Sequence, residues 1–252
     1  MDLGLRHGLV ALLRELVTVK GLRWIRPFYL YPQQVTDALI DLYAGEENIT
    51  KYMDMPFQHI NDALLKRMHR LGDKASITKL VDRLRARIPG LTFRTAFIVG
   101  FPGETKAAFS ELKRYLTDME FDRVGVFLYS DEEGTPAADL DKKIDRAVME
   151  ERRAELLAVQ EQIALKKSRR LIGNTIEVMV EGISEETELL LEARHQGQAP
   201  EIDGVVYLND CAANLTRPPQ ARRDAPLPVP GDFVKVEITD AVAYDLVGRI
   251  VG

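Results

Sequence analysis

Residues 94–109 constrain the fold of this chain more than any other stretch of its sequence. The apolar run that ends at Gly100 predicts a buried strand, and the Pro-Gly pair at 102–103 predicts a tight turn directly after it. Glu104 and Thr105 then provide an acid and a hydroxyl, which favour the start of a helix. Junctions between a strand and a helix often lie at ligand sites in α/β proteins. The glycines can also be present only because the turn requires their backbone conformation.

The same periodicity extends the pattern on both sides of this junction. Strands are predicted at residues 22–30, 51–55, 93–99 and 123–129, and helices at 8–20, 36–43, 61–71, 75–88 and 104–119. Alternation of strands and helices predicts an α/β fold with a mainly parallel sheet, either doubly wound or part of a (β/α) barrel. The carboxyl ends of the four strands, where polar residues gather, should then share one edge.

The last third of the chain has a different pattern of predicted secondary structure. A long helix is predicted over residues 144–171, and short strands follow at 175–180, 188–195, 205–209, 233–239 and 244–251. Short strands separated by Gly and Pro predict a small antiparallel β-barrel of a kind used for binding. Residues 217–230 contain five prolines and three arginines and are predicted to be an exposed insertion. The predicted domains are 1–143, a connecting helix at 144–173, and 174–252.

Composition places the chain among ordinary globular proteins. Of its 252 residues, 46% are hydrophobic and 29% charged, and no stretch approaches the roughly 20 apolar residues that span a bilayer. The amino terminus has no apolar export signal, so a cytoplasmic protein without a membrane partner is expected. Because the chain opens directly on an amphipathic helix with no preceding strand, we expect it to be cut from something longer.

The net charge of −5 is unevenly distributed. Residues 174–252 contain 6 Lys plus Arg and 14 Asp plus Glu, whereas residues 1–173 contain 28 and 25. An acidic terminal domain repels a phosphate backbone and favours a basic partner. Acidic loops can also be present only because they keep a domain soluble.

Side-chain chemistry is limited by what the sequence contains. Cys211 is the single cysteine, which excludes an intramolecular disulfide and any multi-cysteine metal or cluster site built from this chain. The chain has no Ser-His-Asp spacing, no Walker sequence and no two-His motif. No catalytic residue and no metal ligand is therefore predicted.

Polar residues near the strand ends are the candidates for binding. Gln58 and His59 follow a predicted strand and could reach into a cavity above the sheet, although His59 could also be a plain loop residue. Arg94 lies inside a buried strand and requires a partner. That partner could be an internal carboxylate or the carboxylate or phosphate of a ligand.

Several ordered motifs resemble those of one enzyme family. Residues 29–32, 54–59, 65–68 and 94–105 resemble the methylthiotransferases of the radical S-adenosylmethionine superfamily, and residues 199–207, 231–234 and 244–248 resemble that family's terminal TRAM domain. Within the family, the resemblance is to the branch that methylthiolates an aspartate of ribosomal protein twelve of the small subunit. The fold it implies is the later part of a radical-SAM (β/α) barrel followed by a TRAM barrel.

The resemblance also implies cofactors and site residues. Members use S-adenosylmethionine and [4Fe-4S] clusters to abstract hydrogen from the target carbon before sulfur insertion. In this chain, the segment at 100–104 would lie against the adenosyl group, Arg94 would bind the cofactor's carboxylate, and Gln58 and His59 would line the cavity. The predicted cofactor-binding residues are Gln58, His59, Arg94, Gly100, Phe101, Pro102, Gly103 and Glu104.

The chain departs from the family in lacking the CxxxCxxC triplet that binds the cluster. We therefore expect this polypeptide alone to be inactive. Two alternatives stay open: the tRNA-modifying branch, which tends to have Gln-Ser-Gly-Ser where this chain has residues 58–61 and a more basic terminal domain, and a non-catalytic fragment that binds ribosomal protein or RNA. The acidic terminal domain favours a basic ribosomal protein over tRNA as partner.

Overall fold

A computed structural model describes residues 8–209 and 228–251. The chain divides into two compact units, one ending at Gln160 and the other beginning at Glu161. The boundary falls inside a long helix, and the three-part division at 143 and 174 stays a prediction. Cys211 and most of the predicted insertion at 217–230 lie outside the described residues. Within the described ranges, every helix is too short or too polar to cross a membrane.

The first unit is an α/β arrangement around a three-stranded parallel sheet in the order β1-β2-β3. Its strands are β1 (Tyr52–Asp54), β2 (Thr92–Val99) and β3 (Arg123–Leu128). Its helices are α1 (Gly8–Leu16), α2 (Asp37–Gly45), α3 (Asp62–Arg67), α4 (Lys74–Arg87), α5 (Lys106–Met119) and the start of α6 (Arg146–Arg169), with a 3₁₀ turn at Pro32–Gln34. The predicted α/β class is thus confirmed.

The strand predicted over residues 22–30 is wrong. Only Ile25 pairs there, in a single parallel bridge with Ile49. Pro27 explains the failure, because proline has no amide proton to donate to the next rung of a ladder.

Polar caps fix where the helices begin. Asn61 accepts a hydrogen bond from the Leu64 amide at 3.2 Å, and Thr105 accepts one from the Ala108 amide at 3.1 Å. Helix α5 therefore starts at Lys106, two residues later than predicted. Glu104 lies before the helix rather than in its first turn, which frees its carboxylate for the contacts described below.

Buried aromatic rings hold the sheet against its helices. Phe93 and Phe97 alternate along β2 with Arg94 and Ile98, so the two pairs point to opposite faces of the strand. The ring of Phe93 lies 5.4 Å from Phe121, which precedes β3. Aromatic contacts of this kind add to the free energy gained by burying the rings. The opposite face of β2 is the less buried one.

The second unit is a closed five-stranded barrel in the order β4-β5-β6-β8-β7, which confirms the predicted small barrel. Its strands are β4 (Thr175–Ile183), β5 (Leu191–His195), β6 (Val206–Leu208), β7 (Phe233–Ala241) and β8 (Leu246–Ile250). The prediction of an entirely antiparallel barrel is wrong in one respect, because β6 and β8 pair in parallel. The two strands are not adjacent in sequence, so no hairpin connects them and parallel pairing is open to them.

Candidate functional site

A cavity of about 540 Å³ opens where the strands of the parallel sheet end. Ile98 and Leu128 form part of its apolar wall, at the carboxyl ends of β2 and β3. Gln58, Phe101 and Tyr129 line it from the segments that follow the three strands. The sheet therefore brings three of the four predicted strand ends together at one cavity. An apolar wall with a few polar groups is the usual character of a small-molecule site.

Gln58 is held in an unusual backbone conformation at this cavity. Its φ of 71° lies in the left-handed region, which is uncommon for residues other than glycine. Its amide donates to the Ala96 carbonyl at 2.9 Å, and its own carbonyl accepts from the Ile98 amide at 2.7 Å. Such a conformation costs roughly 1–3 kcal/mol and tends to occur at functional sites. The two hydrogen bonds to β2 keep Gln58 at the cavity wall.

His59, the next residue, is fully buried and is not among the residues that line the cavity. Its Nδ1 accepts hydrogen bonds from the amides of Ile60 at 2.8 Å and Asn61 at 2.9 Å. Since Nδ1 must be unprotonated to accept, the proton of the neutral ring lies on Nε2. That nitrogen faces Glu104 Oε1 at 3.4 Å. His59 thus shapes the loop after β1 from behind the cavity.

The carboxylate of Glu104 is the centre of a buried clamp. Its side chain is 0% exposed, and Oε2 accepts from the Gly100 amide and from Arg152 Nη1, the latter at 2.7 Å. The Arg152 guanidinium also donates to the Glu104 carbonyl at 3.2 Å and lies over the Phe109 ring at 5.4 Å. The clamp joins the turn after β2 to α6. The carboxylate oxygens of Glu104 face Gly100, Arg152 and His59 of the protein itself.

Gly100 sits under this clamp in a position that only glycine fits. Its φ is +82°, and a Cβ atom built on it would lie 2.3 Å from Cγ of Met149. Any larger residue would strain the backbone and would also require the Met149 side chain to move. The glycine at this predicted site is therefore favoured by the backbone conformation.

Arg94 forms an ion pair inside the sheet. Its Nη1 lies 2.7 Å from Oδ1 of Asp54, whose side chain is 0% exposed, and the two residues are register partners on β2 and β1. Asp54 Oδ2 accepts from the Tyr29 amide at 3.1 Å. Of the two partners expected for Arg94, the structure contains the internal carboxylate. Arg94 lies on the same face of β2 as Ile98, about 13 Å further from the strand end at 3.3 Å per residue.

The remaining predicted residues divide between two cavities and the core. Phe101 lines the first cavity, and its ring meets Tyr129 edge-on with centroids 5.2 Å apart. Gly103, with φ +90°, lines a second cavity instead and donates its amide to the Lys142 carbonyl at 2.9 Å. Pro102 is buried in the turn between them.

Sequence reasoning did not predict the network of hydrogen bonds and charges at the end of β3. The Tyr129 hydroxyl donates to Asp131 Oδ1 at 2.8 Å, and Lys143 also binds Asp131. The hydrogen bond from Lys143 and then that from Tyr129 lower the pKa of Asp131, while partial burial and the hydrogen bond to Asp131 raise the pKa of Tyr129. This network ties the loop after β3 to the cavity rim. Tyr129 was visible as a strand end, but its partner Lys143 is too distant in sequence for any periodicity to reveal.

The Glu104 clamp leads to a stability prediction. Replacing Glu104 with Ala leaves the buried Arg152 without its carboxylate, so we expect the free energy of unfolding to fall by about 3–5 kcal/mol in urea denaturation. Glu155→Ala is the matched control, because its ion pair with Lys113 is 41% exposed on both sides and should contribute about 1 kcal/mol or less.

A double variant distinguishes the loss of the ion pair from a general loss of packing. In Glu104→Ala/Arg152→Met the unpaired charge is removed, so part of the lost stability should return. Equal stabilities of Glu104→Ala and the Glu155→Ala control would contradict a buried clamp.

A family model matches the barrel, and one solved structure is a partial likeness of the chain. The model of the TRAM domain matches residues 172–251, which contain the whole barrel. The solved structure described as coproporphyrinogen III oxidase (HemN) from Escherichia coli, a radical SAM enzyme, is a partial likeness. It covers 65% of this chain and 38% of its own, with a TM-score of 0.43 and 19% identity.

Curated relatives match over nearly the full length of the chain. The ribosomal protein uS12 methylthiotransferase RimO of Anaeromyxobacter sp. (strain K) is 50% identical over 95% of this chain and 48% of the relative. The protein of the same name from Geobacter sulfurreducens is 45% identical over 99% of this chain and 53% of the relative. The chain thus spans about half the length of the curated relatives it matches. By sequence, this chain is similar to the part of these two methylthiotransferases that it matches.

Proposed function

We propose that this chain is part of a radical S-adenosylmethionine methylthiotransferase that acts in the cytoplasm on an aspartate of ribosomal protein uS12. The observation that carries the proposal is the 50% identity over 95% of the chain to a uS12 methylthiotransferase. The two matched relatives are about twice as long as the match, so the activity belongs to a protein with further parts.

In this proposal, the 540 Å³ cavity holds the adenosyl part of S-adenosylmethionine. Its apolar wall at Ile98 and Leu128 suits a planar base, and the Phe101 and Tyr129 rings offer flat or edge contacts. Gln58 supplies amide and carbonyl groups at the wall, where they can reach ring nitrogens or ribose hydroxyls. When bound, S-adenosylmethionine supplies the radical chemistry, while these residues orient the cofactor and exclude water.

The residues of this chain do not fit an iron–sulfur cluster. Such clusters are held by several thiolates, and the chain has one cysteine, which lies outside the described residues. Within residues 8–209 and 228–251, no three His, Cys, Asp or Glu side chains are grouped to hold a metal ion. The ligands of a cluster would have to come from sequence other than this chain.

The other predicted site residues have supporting roles in the proposal. The Glu104 clamp fixes the turn at residues 100–104 against α6, and His59 fixes the loop that carries Gln58. Arg94, whose side chain is 12% exposed, would meet the cofactor's carboxylate through its planar guanidinium.

We also propose that the barrel contacts the basic protein substrate rather than tRNA. Over its described residues, 174–209 and 228–251, the barrel carries 12 Asp plus Glu and three Lys plus Arg. Two of those three cations, Arg194 and Arg249, are paired with glutamates of the barrel at 2.6 and 2.7 Å. The remaining negative potential attracts a basic partner and opposes a phosphate backbone.

The cavity assignment is tested by the affinity for S-adenosylmethionine itself. Truncation by Ile98→Ala removes apolar contact from the wall, and we expect the dissociation constant to rise by about fivefold in isothermal calorimetry with the purified chain, equivalent to about 1 kcal/mol. Val124→Ala, a truncation of a half-buried residue on β3 outside both cavities, should leave affinity unchanged. A wild-type chain that does not bind the cofactor would contradict the assignment.

The reaction is tested in the source organism by deleting the gene and analysing uS12 and tRNA together by mass spectrometry. We expect the methylthio group on the uS12 aspartate to disappear and tRNA to keep its modifications. Loss of methylthiolated adenosine in tRNA would favour the tRNA-modifying branch. No change in either molecule would favour a non-catalytic binding fragment.

The barrel's role is tested by neutralising exposed glutamates in the turn between β4 and β5. Glu185→Gln/Glu188→Gln should slow association with purified uS12 by about threefold or more at low salt, because steering charge is lost. Glu151→Gln/Glu161→Gln removes the same charge from exposed positions of α6 and is the control. Equal association rates for the two double variants, measured by stopped flow, would argue against contact through the barrel.

A further inference from the structure

A second cavity, of about 520 Å³, lies beside the first and has a different character. It opens where helices α3, α4 and α5 begin, and Asn61, Gly103 and Thr105 form part of its wall. Arg67 lines both cavities, so the two adjoin across one side chain. None of the roles proposed above uses this second space.

Its distinguishing feature is an excess of positive charge from four parts of the chain. Arg67 comes from α3, Lys74 from α4, Arg114 from α5, and Lys142 from the loop before α6. Among the described residues that line this cavity, Glu111 provides the one carboxylate. The positive charges of these four side chains repel each other, and one carboxylate does not balance them. The cavity therefore favours the binding of an anion.

The ion pairs that exist do not cancel this excess. Lys74 is 3.0 Å from Glu111, whose pKa is lowered by the Asn61 hydrogen bond and then by Lys74. Arg67 is 3.4 Å from Asp141, a side chain that is 73% exposed, so water weakens that pair. Arg114 and Lys142 have no ion pair within the described part of the chain.

Arg67 and Lys142 are also positioned by the backbone around them. The Arg67 guanidinium packs over Gly103, and its Nε is buried with no hydrogen-bond partner among the described residues. A buried donor without an acceptor is unfavourable, and a ligand oxygen would offset that cost. Lys142 has a left-handed φ of 59°, and its carbonyl is held by the Gly103 amide. This conformation is uncommon for lysine, and Lys142 is one of the residues that line the cavity.

From this convergence we propose that the second cavity binds a phosphate group. The planar guanidinium of arginine and the compact ammonium group of lysine both donate hydrogen bonds to phosphate oxygens. The open cavity admits either a phosphodiester of RNA or the phosphate of a small molecule. The site lies in the first unit, whereas the acidic barrel is the part of the chain that repels phosphate. The proposal does not depend on the S-adenosylmethionine assignment.

The test uses the purified full chain and two probes, inorganic pyrophosphate and a single-stranded RNA decamer, with affinities measured by calorimetry and fluorescence anisotropy. In Arg114→Gln/Lys142→Gln we expect binding to weaken by about tenfold, and the slope of log affinity against log salt for RNA to fall by about 0.7 for each lost contact. Both residues are exposed, so the variant should fold normally. Lys79→Gln/Arg153→Gln, exposed and outside the lining, removes the same charge as the control.

A variant of opposite sign strengthens the test. Glu111→Gln keeps an amide oxygen for Asn61 and removes the cavity's carboxylate, so probe affinity should rise. Tight RNA binding with weak pyrophosphate binding would identify a polynucleotide, and the reverse would identify a small phosphorylated molecule; both outcomes support a phosphate site. Equal effects of the cavity and control variants, or no binding of either probe, would overturn the proposal. Neither result would bear on the methylthiotransferase assignment, which does not use this cavity.

Discussion

The buried carboxylate of Glu104 is the interaction on which the first unit depends. It accepts the Gly100 amide after β2, faces the His59 ring after β1, and pairs with Arg152 on α6. Two of these segments are loops and the third is a helix, so the hydrogen bonds between the strands of the sheet do not fix their positions. A carboxylate removed from water is tolerable only when such partners surround it, so their positions are strongly coupled. The edge of the cavity is therefore fixed by a residue behind it.

Much of the fold could be predicted from the sequence because it rests on local patterns. Apolar periodicity and short polar caps located the strands and helices that the structure contains, apart from the strand that Pro27 prevents. Contacts distant in sequence could not be predicted in this way. Asp54 as the partner of Arg94 and Arg152 as the partner of Glu104 lie 40 and 48 residues away, and a single sequence gives no measure of which charges meet.

The candidate site was predicted less completely than the fold. The sequence placed Gln58 and Phe101 at strand ends, and both residues line the first cavity. It did not distinguish residues that face the cavity from those that support it, as with His59 and Glu104. Burial separates these groups, and it depends on packing in three dimensions. The division into an apolar cavity and a basic one, joined at Arg67, likewise arises only when three helices begin side by side.

The parallel pairing of β6 with β8 has a consequence for how the barrel forms during synthesis. Strand β8 lies between β6 and β7, so the barrel cannot close until Leu246–Ile250 has emerged from the ribosome. Strand β4 must also wait for β7, nearly sixty residues later, as the pairing of Ile176 with Val236 illustrates. Contacts of such long sequence separation form late, whereas the first unit's strands are translated earlier and can assemble sooner. Until translation reaches that point, β4 and β6 on either side of β5 each have one unpaired edge that invites pairing with other nascent chains.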